Sequence, residues 1–242
     1  MNSTLPSKVL VAGASGRTGR EILRELAGRS VEVRAMTRSA DTADSLVADG
    51  ADEVVVGDLL NPADARRALD GCDAVLFAAG SSLTTGLTRP GRVVDGDGVL
   101  NLVDAAAAAD VRTFVFQSSI GVGASRRGMP LWARLVALRW TVREKTRAER
   151  ALRESGLDYV VFRPGWMNEE PATDDVLVAE GATEMTGSIP RADVARLMVA
   201  ALYTPEATGR TFEVVARDAA KSVDSDSLVD VAWDGRADPI AA

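Results

Sequence analysis

Apolar and polar positions alternate in blocks along this chain, and the blocks come in a regular order. Residues 8–12, Lys-Val-Leu-Val-Ala, form a short apolar run that stops at Gly13. Gly16 and Gly19 follow at intervals of three, and an amphipathic run takes over at once. Short β-branched runs read as strands and apolar residues at helical spacing read as helices. The pattern therefore predicts a strand over 8–12, a tight turn and a helix over 17–29. The same pairing repeats, with strands expected at 31–37, 53–56, 73–79, 113–117 and 157–162. Helices are expected at 42–49, from Asn61-Pro62 onward, over 93–109, and from about 131 or 139 to 154. The run 73–79 is almost continuously apolar, as a parallel strand buried on both faces must be. Such alternation argues for the α/β class, a doubly wound parallel sheet flanked by helices.

After Trp166 the pattern loosens. A strand at 176–179, a helix at 191–203 and a strand at 211–215 are expected to form a small C-terminal lobe, about 167–216, closing over the substrate crevice of a core spanning about 8–166. Residues 217–242 form an acidic, weakly patterned tail, either mobile or wrapped around a partner. The stretch 81–92 is polar and glycine-containing, hence a loop at the edge of the crevice. No internal repeat or linker divides the chain, which reads as one domain.

The glycine turn carries the first chemistry. Gly13 lets the chain turn sharply, Gly16 lets a diphosphate lie against main-chain N–H groups, and Gly19 lets helix and strand pack closely. Unpaired N–H groups at the start of the new helix face an anion. Ser15, Arg17 and Thr18, within the turn, are further candidate contacts, and the whole predicts a dinucleotide site; the alternative is a purely structural turn. At the end of the second strand an Asp or Glu would accept from both ribose hydroxyls and select NAD. This chain has Ala35-Met36-Thr37-Arg38 there instead. Arg38 can pair with a 2′-phosphate, and Arg17 can approach the same phosphate, so NADP is expected, with NADPH preferred over NADH; the alternative is two arginines solvated at helix starts. Asp58 can accept from the adenine amino group while Leu59 packs on the ring, or it can instead satisfy its own turn. Ala78, Ala79 and Gly80 are small enough to let the nicotinamide ribose and diphosphate lie close.

Composition narrows the remaining chemistry. At 242 residues and 46% hydrophobic, the chain can bury a real core. No apolar run reaches the length of a membrane span and residues 1–7 carry no signal pattern, so no membrane partner and a cytoplasmic location are expected. One cysteine, Cys72, excludes a disulfide framework, and histidine is absent. That absence removes Ser-His-Asp hydrolysis, His-based zinc sites and His acid/base catalysis together; no metal site is expected. A formal charge of −7 without a basic stripe argues against nucleic acid. Lysine occurs only at Lys8, Lys145 and Lys221.

Several stretches together resemble the atypical short-chain dehydrogenase/reductase superfamily, in its NAD(P)H-binding, NmrA-like and biliverdin-reductase-B-like branch. They are Gly13-Ala-Ser-Gly16-Arg-Thr-Gly19, Gly57-Asp58-Leu59, Asp95 through Asn101, Phe114 through Ser119, Lys145 with Ala148-Glu149, Ser155 through Gly165, and Ile189 through Ala195. The resemblance covers about residues 8–216. It implies a Rossmann-type sheet and an NAD(P)-dependent oxidoreductase acting on a small-molecule substrate, as monomer or homodimer. Ser118 and Pro164 are implied as cofactor contacts, with Pro164 at the nicotinamide amide. Ser119 falls at the family's active-site serine.

The superfamily's acid pair is a tyrosine four residues before a lysine. Lys145 stands where that lysine is expected, but the residue four before it is Thr141, and Tyr159 and Tyr203 are followed four residues on by Arg163 and Ala207. The pair is absent. Three readings follow. Hydride transfer can proceed to an electron-poor conjugated acceptor, a flavin, quinone or tetrapyrrole, whose product needs no strong acid. Ser119 and Thr141 can share polarisation of a carbonyl, although hydroxyls of such high pKa are poor proton donors. Or the protein binds NADP without chemistry and reports redox state to a partner. A nucleotide-sugar epimerase or dehydratase fits less well, because it needs the missing tyrosine. Lys145 serves as ribose ligand in all three readings, Arg163 as support for the cofactor loop and Trp166 as an apolar wall for a flat substrate, while Trp132 and Trp140 are substrate-side, core or dimer contacts. Arg191 and Asp193 read as a helix start with a local ion pair.

Overall fold

The computed structural model describes residues 5–80, 93–123, 125, 139–181 and 184–233, without side-chain detail for 139–141. The expected loop 81–92, Trp132, and the last part of the tail therefore lie outside the described residues.

Strands β1 (Lys8–Ala12), β2 (Glu32–Thr37), β3 (Glu53–Val56), β4 (Ala74–Phe77), β5 (Thr113–Gln117) and β6 (Asp158–Pro164) run parallel, in the order β3-β2-β1-β4-β5-β6. β1 pairs with β2 on one side and β4 on the other, Ala12 standing opposite Met36 and Phe77. The strand order reverses there, and the crevice outside the carboxyl ends of β1 and β4 is where an open α/β sheet binds its ligand.

Helices α1 (Arg17–Leu26), α2 (Ala43–Ala48), α3 (Pro62–Leu69), α4 (Val99–Ala107), α5 (Arg139–Glu154) and α6 (Arg191–Ala201) cover both faces. Ile22, Leu23 and Leu26 of α1 join Leu197 and Met198 of α6 and Val9 and Val11 of β1 in one buried layer. Leu69 of α3, Leu102 and Val103 of α4 and Leu152 of α5 close over Leu10, Phe77 and Phe114 on the other. Alternate residues of β1 thus enter opposite cores, which is why the run has no polar face. Cys72 is buried, and burial pushes its thiol up to about 11.

Three expectations are corrected. The strands beyond Trp166 do not make a lobe of their own: β10 (Arg210–Ala216) adds parallel to β6 and β8 (Val176–Glu180) antiparallel to β10, completing an eight-stranded sheet. Phe212 beside Phe162 and α6 against α1 bury apolar faces that would otherwise be exposed. Only β7 (Trp166–Asn168) and β9 (Ser188–Pro190) form a separate ribbon. Nor is the described part of the tail loose: Leu228 bridges Ala179 of β8, and Trp233 packs on Phe162 and Phe212. The helix expected over 93–109 begins as a π-turn, Val94–Gly98, before α4.

Candidate functional site

The site begins where β1 ends. Gly13 has φ +85, and a Cβ there would stand 2.5 Å from the backbone nitrogen of Ala79. A Cβ on Gly19 would collide with the Gly13 carbonyl oxygen. Both glycines are therefore needed for close approach, of β1 to the segment after β4 and of α1 to the turn. Gly16 is the N-cap of α1, no side chain caps the helix and no acid occupies its first turn. The first N–H groups of α1 are left for an anion.

A cavity of about 290 Å³ opens beside this turn. Gly13, Ser15 and Gly16 form one wall, and Met36, Thr37 and Arg38, at the end of β2, form the next. Gly57, Asp58 and Leu59 follow β3, Ala78, Ala79 and Gly80 follow β4, and Val94 of the π-turn completes the lining. Arg38 is exposed and makes no hydrogen bond or ion pair with any described residue. Asp58 does two things at once: its Oδ1 accepts from the Leu60 amide at 2.9 Å, satisfying the turn, while the residue lines the cavity. Met36, Thr37 and Val94 are not among the candidates read from sequence, whereas Gly57 stands in the Gly57-Asp58-Leu59 stretch. Met36 and Thr37 precede Arg38 at the end of β2, where position alone signals them; Val94 depends on the π-turn, which no pattern announces.

The other candidates stand around this cavity without lining it. Lys145 is buried on α5; its Nζ donates to the Ser118 carbonyl at 3.1 Å and lies 3.7 Å from Asp95 Oδ1. Asp95 in turn sits against Gly80, 3.5 Å from where a Cβ there would be. Burial pulls the Lys145 pKa below its ordinary value, and the charges of Asp95 and Glu149 oppose that pull. The Ser118 hydroxyl points inward, donating to Glu149 Oε1 at 2.6 Å. Ser119 is half-buried at the end of β5, and Pro164 is buried at the end of β6, its carbonyl accepting from the Ile120 amide at 3.0 Å. Thr141 falls on α5 one turn before Lys145; its side chain, like that of Trp140, lies outside the described residues.

Behind Ser118 runs a buried chain of charges that sequence reasoning missed. Arg163 donates to Glu149 from Nε and Nη2, at 3.0 and 2.6 Å, and from Nη1 to Glu213 Oε1 at 2.9 Å. Arg153 reaches Glu149 as well, at 2.8 Å. Burial pushes the Glu149 carboxyl up, but hydrogen bonds from Arg163, Ser118 and Arg153 outweigh it and the net shift is downward. Glu213 Oε1 accepts from Arg163, its Oε2 has no partner among the described residues, and burial pushes its pKa up to about 7. A Cβ on Gly123 would stand 2.7 Å from Arg163 Nη2, so the guanidinium also lies against the loop after β5.

Arg17 and Arg191 both meet Glu169, and Arg191 opens α6 as expected. Arg17 Nη1 donates to Glu169 Oε1 at 2.8 Å, on the side of α6 and away from Arg38. Arg191 pairs with Glu169 rather than with Asp193; Asp193 accepts from Thr173, Asp174 and Arg196. The reason is direction: Arg191 opens α6 facing α1, so its guanidinium reaches Thr18 Oγ1 at 3.3 Å. Trp166 is 78% exposed.

The residues present fit a dinucleotide. Glycine backbone without Cβ, an uncapped helix start and a guanidinium with no partner among the described residues meet in one cavity at the reversal point of the sheet, a donor set suited to phosphate oxygens. The NAD(P)H-binding family model matches residues 13–205, and the chain belongs to that family, within the atypical short-chain reductase group. A chloroplastic protein of Arabidopsis thaliana, At2g34460, is 33% identical, across 89% of this chain and 79% of its own. A solved putative NAD-dependent epimerase/dehydratase from Bacillus halodurans superposes with a TM-score of 0.74 at 31% identity, covering 87% of this chain and 94% of that one. ChuY from Escherichia coli O157:H7, described as an anaerobillin reductase, gives 0.75 at 26% identity, covering 87% and 98%. Among the described residues no helix is long and apolar enough to cross a membrane.

Proposed function

We propose that the protein is an NADP-dependent oxidoreductase of the atypical short-chain type, passing a hydride from NADPH to a small conjugated acceptor, a flavin, quinone or activated carbonyl. The observation that carries the cofactor choice is Arg38, a cation without a partner among the described residues, lining the cavity where a NAD-selecting acid would stand. The reduced nicotinamide ring supplies the hydride when bound. The protein's own groups hold and orient: Arg38 takes the 2′-phosphate, the start of α1 takes the diphosphate, and the Asp95–Lys145 pair braces the wall formed by Gly80 and Val94. Ser119 and Thr141 polarise the acceptor, and Trp166 offers a flat apolar wall beside it. Because neither hydroxyl is a strong proton donor, the acceptor takes its proton from solvent. We place the protein in the cytoplasm as monomer or homodimer, with a small-molecule substrate and no nucleic-acid or membrane partner.

The engagement of Lys145 with Ser118 and Asp95, and the missing tyrosine, favour one other reading, an NADP(H) sensor without turnover. Loss of NADPH absorbance against a panel of flavins, quinones and carbonyls, run beside a binding titration of all four nicotinamide dinucleotides, separates the two. Saturable oxidation supports the reductase. Tight binding without oxidation across the panel supports the sensor, and failure to bind NADPH more tightly than NADH overturns the role of Arg38.

A further inference from the structure

Glu169 gathers two arginines on one oxygen. Its Oε1 accepts from Arg17 Nη1 at 2.8 Å and from Arg191 Nε at 2.7 Å. The arginines are held very differently. The Arg191 side chain is 11% exposed and also donates to Thr18 Oγ1 and the Met167 carbonyl oxygen. The Arg17 side chain is 71% exposed, and Glu169 is its one partner among the described residues.

Arg17 is the first helical residue of α1, directly after Gly16 of the cavity wall. Arg38 follows β2, on one side of β1, while α6 packs beyond β4, on β5 and β6. Glu169 thus holds Arg17 on the α6 side of α1, where Arg191 also meets it.

We infer that Glu169 is an internal competitor for the diphosphate of the dinucleotide: Arg17 rests on Glu169 and exchanges it for the diphosphate, while Arg191 keeps Glu169. This rests on the dinucleotide reading and moves Arg17 from the 2′-phosphate to the diphosphate. The exchange runs that way because an ion pair this exposed is weak, whereas a guanidinium–phosphate contact beside a helix N-terminus is charge-assisted on both sides. Arg191 neutralises the carboxylate that Arg17 leaves behind. Since Glu169 follows β7 closely, the exchange also removes one tie between the start of α1 and that strand, while Thr18 stays held to Met167 directly and through Arg191.

The test is a calorimetric titration of NADP and NAD into the full chain, its Glu169→Gln and Arg17→Ala variants, and the double variant. Glu169→Gln is expected to tighten both dinucleotides by about two- to fivefold, a gain absent when Arg17 is alanine. Arg17→Ala is expected to weaken both by the same factor. A merely structural Glu169 would loosen binding when replaced, so unchanged or weaker binding by Glu169→Gln overturns the inference. So does an Arg17→Ala loss confined to NADP, and that arm stands even if Glu169→Gln does not fold. A wild-type protein that binds neither dinucleotide removes the parent reading and this one with it; binding without the Glu169→Gln gain removes this one alone.

Discussion

Lys145 and Asp95 face each other across 3.7 Å, both buried, one on α5 and the other on the π-turn before α4. Asp95→Asn leaves a buried ammonium without its nearest counter-charge, a loss expected to cost about 3–5 kcal/mol in urea unfolding at neutral pH. Burial already lowers the Lys145 pKa and Asp95 opposes it, so the variant lowers it further. The deficit should shrink as pH rises, because folded Lys145 then gives up its proton. A deficit that does not change with pH would show that the two charges are uncoupled.

On the proposed NADP reading, Arg38→Ala is expected to remove a charge-assisted phosphate contact worth about 1.5–3 kcal/mol. NADPH affinity should fall by roughly 10- to 150-fold with NADH affinity unchanged, as read by fluorescence titration. Equal losses for both would place Arg38 elsewhere than the 2′-phosphate.

Gly13→Ala and Gly71→Ala differ in one respect. Both positions have positive φ, +85 and +73, but nothing lies within 4 Å of a Cβ at Gly71, whereas one at Gly13 meets the backbone of Ala79 at 2.5 Å. Gly71→Ala should cost only the left-handed penalty, about 1–2 kcal/mol. Gly13→Ala should cost more in thermal unfolding and abolish dinucleotide binding.

Glu213 makes stability depend on pH in an unusual direction for a carboxylate. Its folded pKa stands at about 7 against 4.5 for an ordinary glutamate, so the folded state retains a proton that the unfolded chain releases. Its contribution is complete below the ordinary value and is lost as pH rises through about 7. Glu213→Gln, which can still accept from Arg163, should flatten this part of the melting profile. An unchanged profile would assign the slope to other groups.

The parts of the fold that could be read from sequence are those encoded locally. The apolar run before Gly13, the glycine spacing and the missing acid before Arg38 each involve neighbouring residues, so the strand, the turn and the helix start are legible without any distant partner. What was not legible depends on distant partners. Residues 176–179 and 211–215 look like any buried strands, and nothing nearby says that they extend the main sheet. Glu149, Arg163 and Glu213 meet only because α5, β6 and β10 are packed together. Arg17 finds Glu169 across 152 positions of chain, a pairing that no local pattern announces.

Backbone left unpaired at the rim of a sheet invites a strand from another molecule. At the β8 rim that invitation is partly withdrawn: Leu228 bridges Ala179, and the Val229 amide donates to the Val178 carbonyl oxygen at 3.0 Å. The opposite rim is β3, four residues long, with Val56 43% exposed. Chain-to-chain strand pairing, wanted or unwanted, therefore has its easier doorway at β3, and losing residues 228–229 would open a second one at the far side.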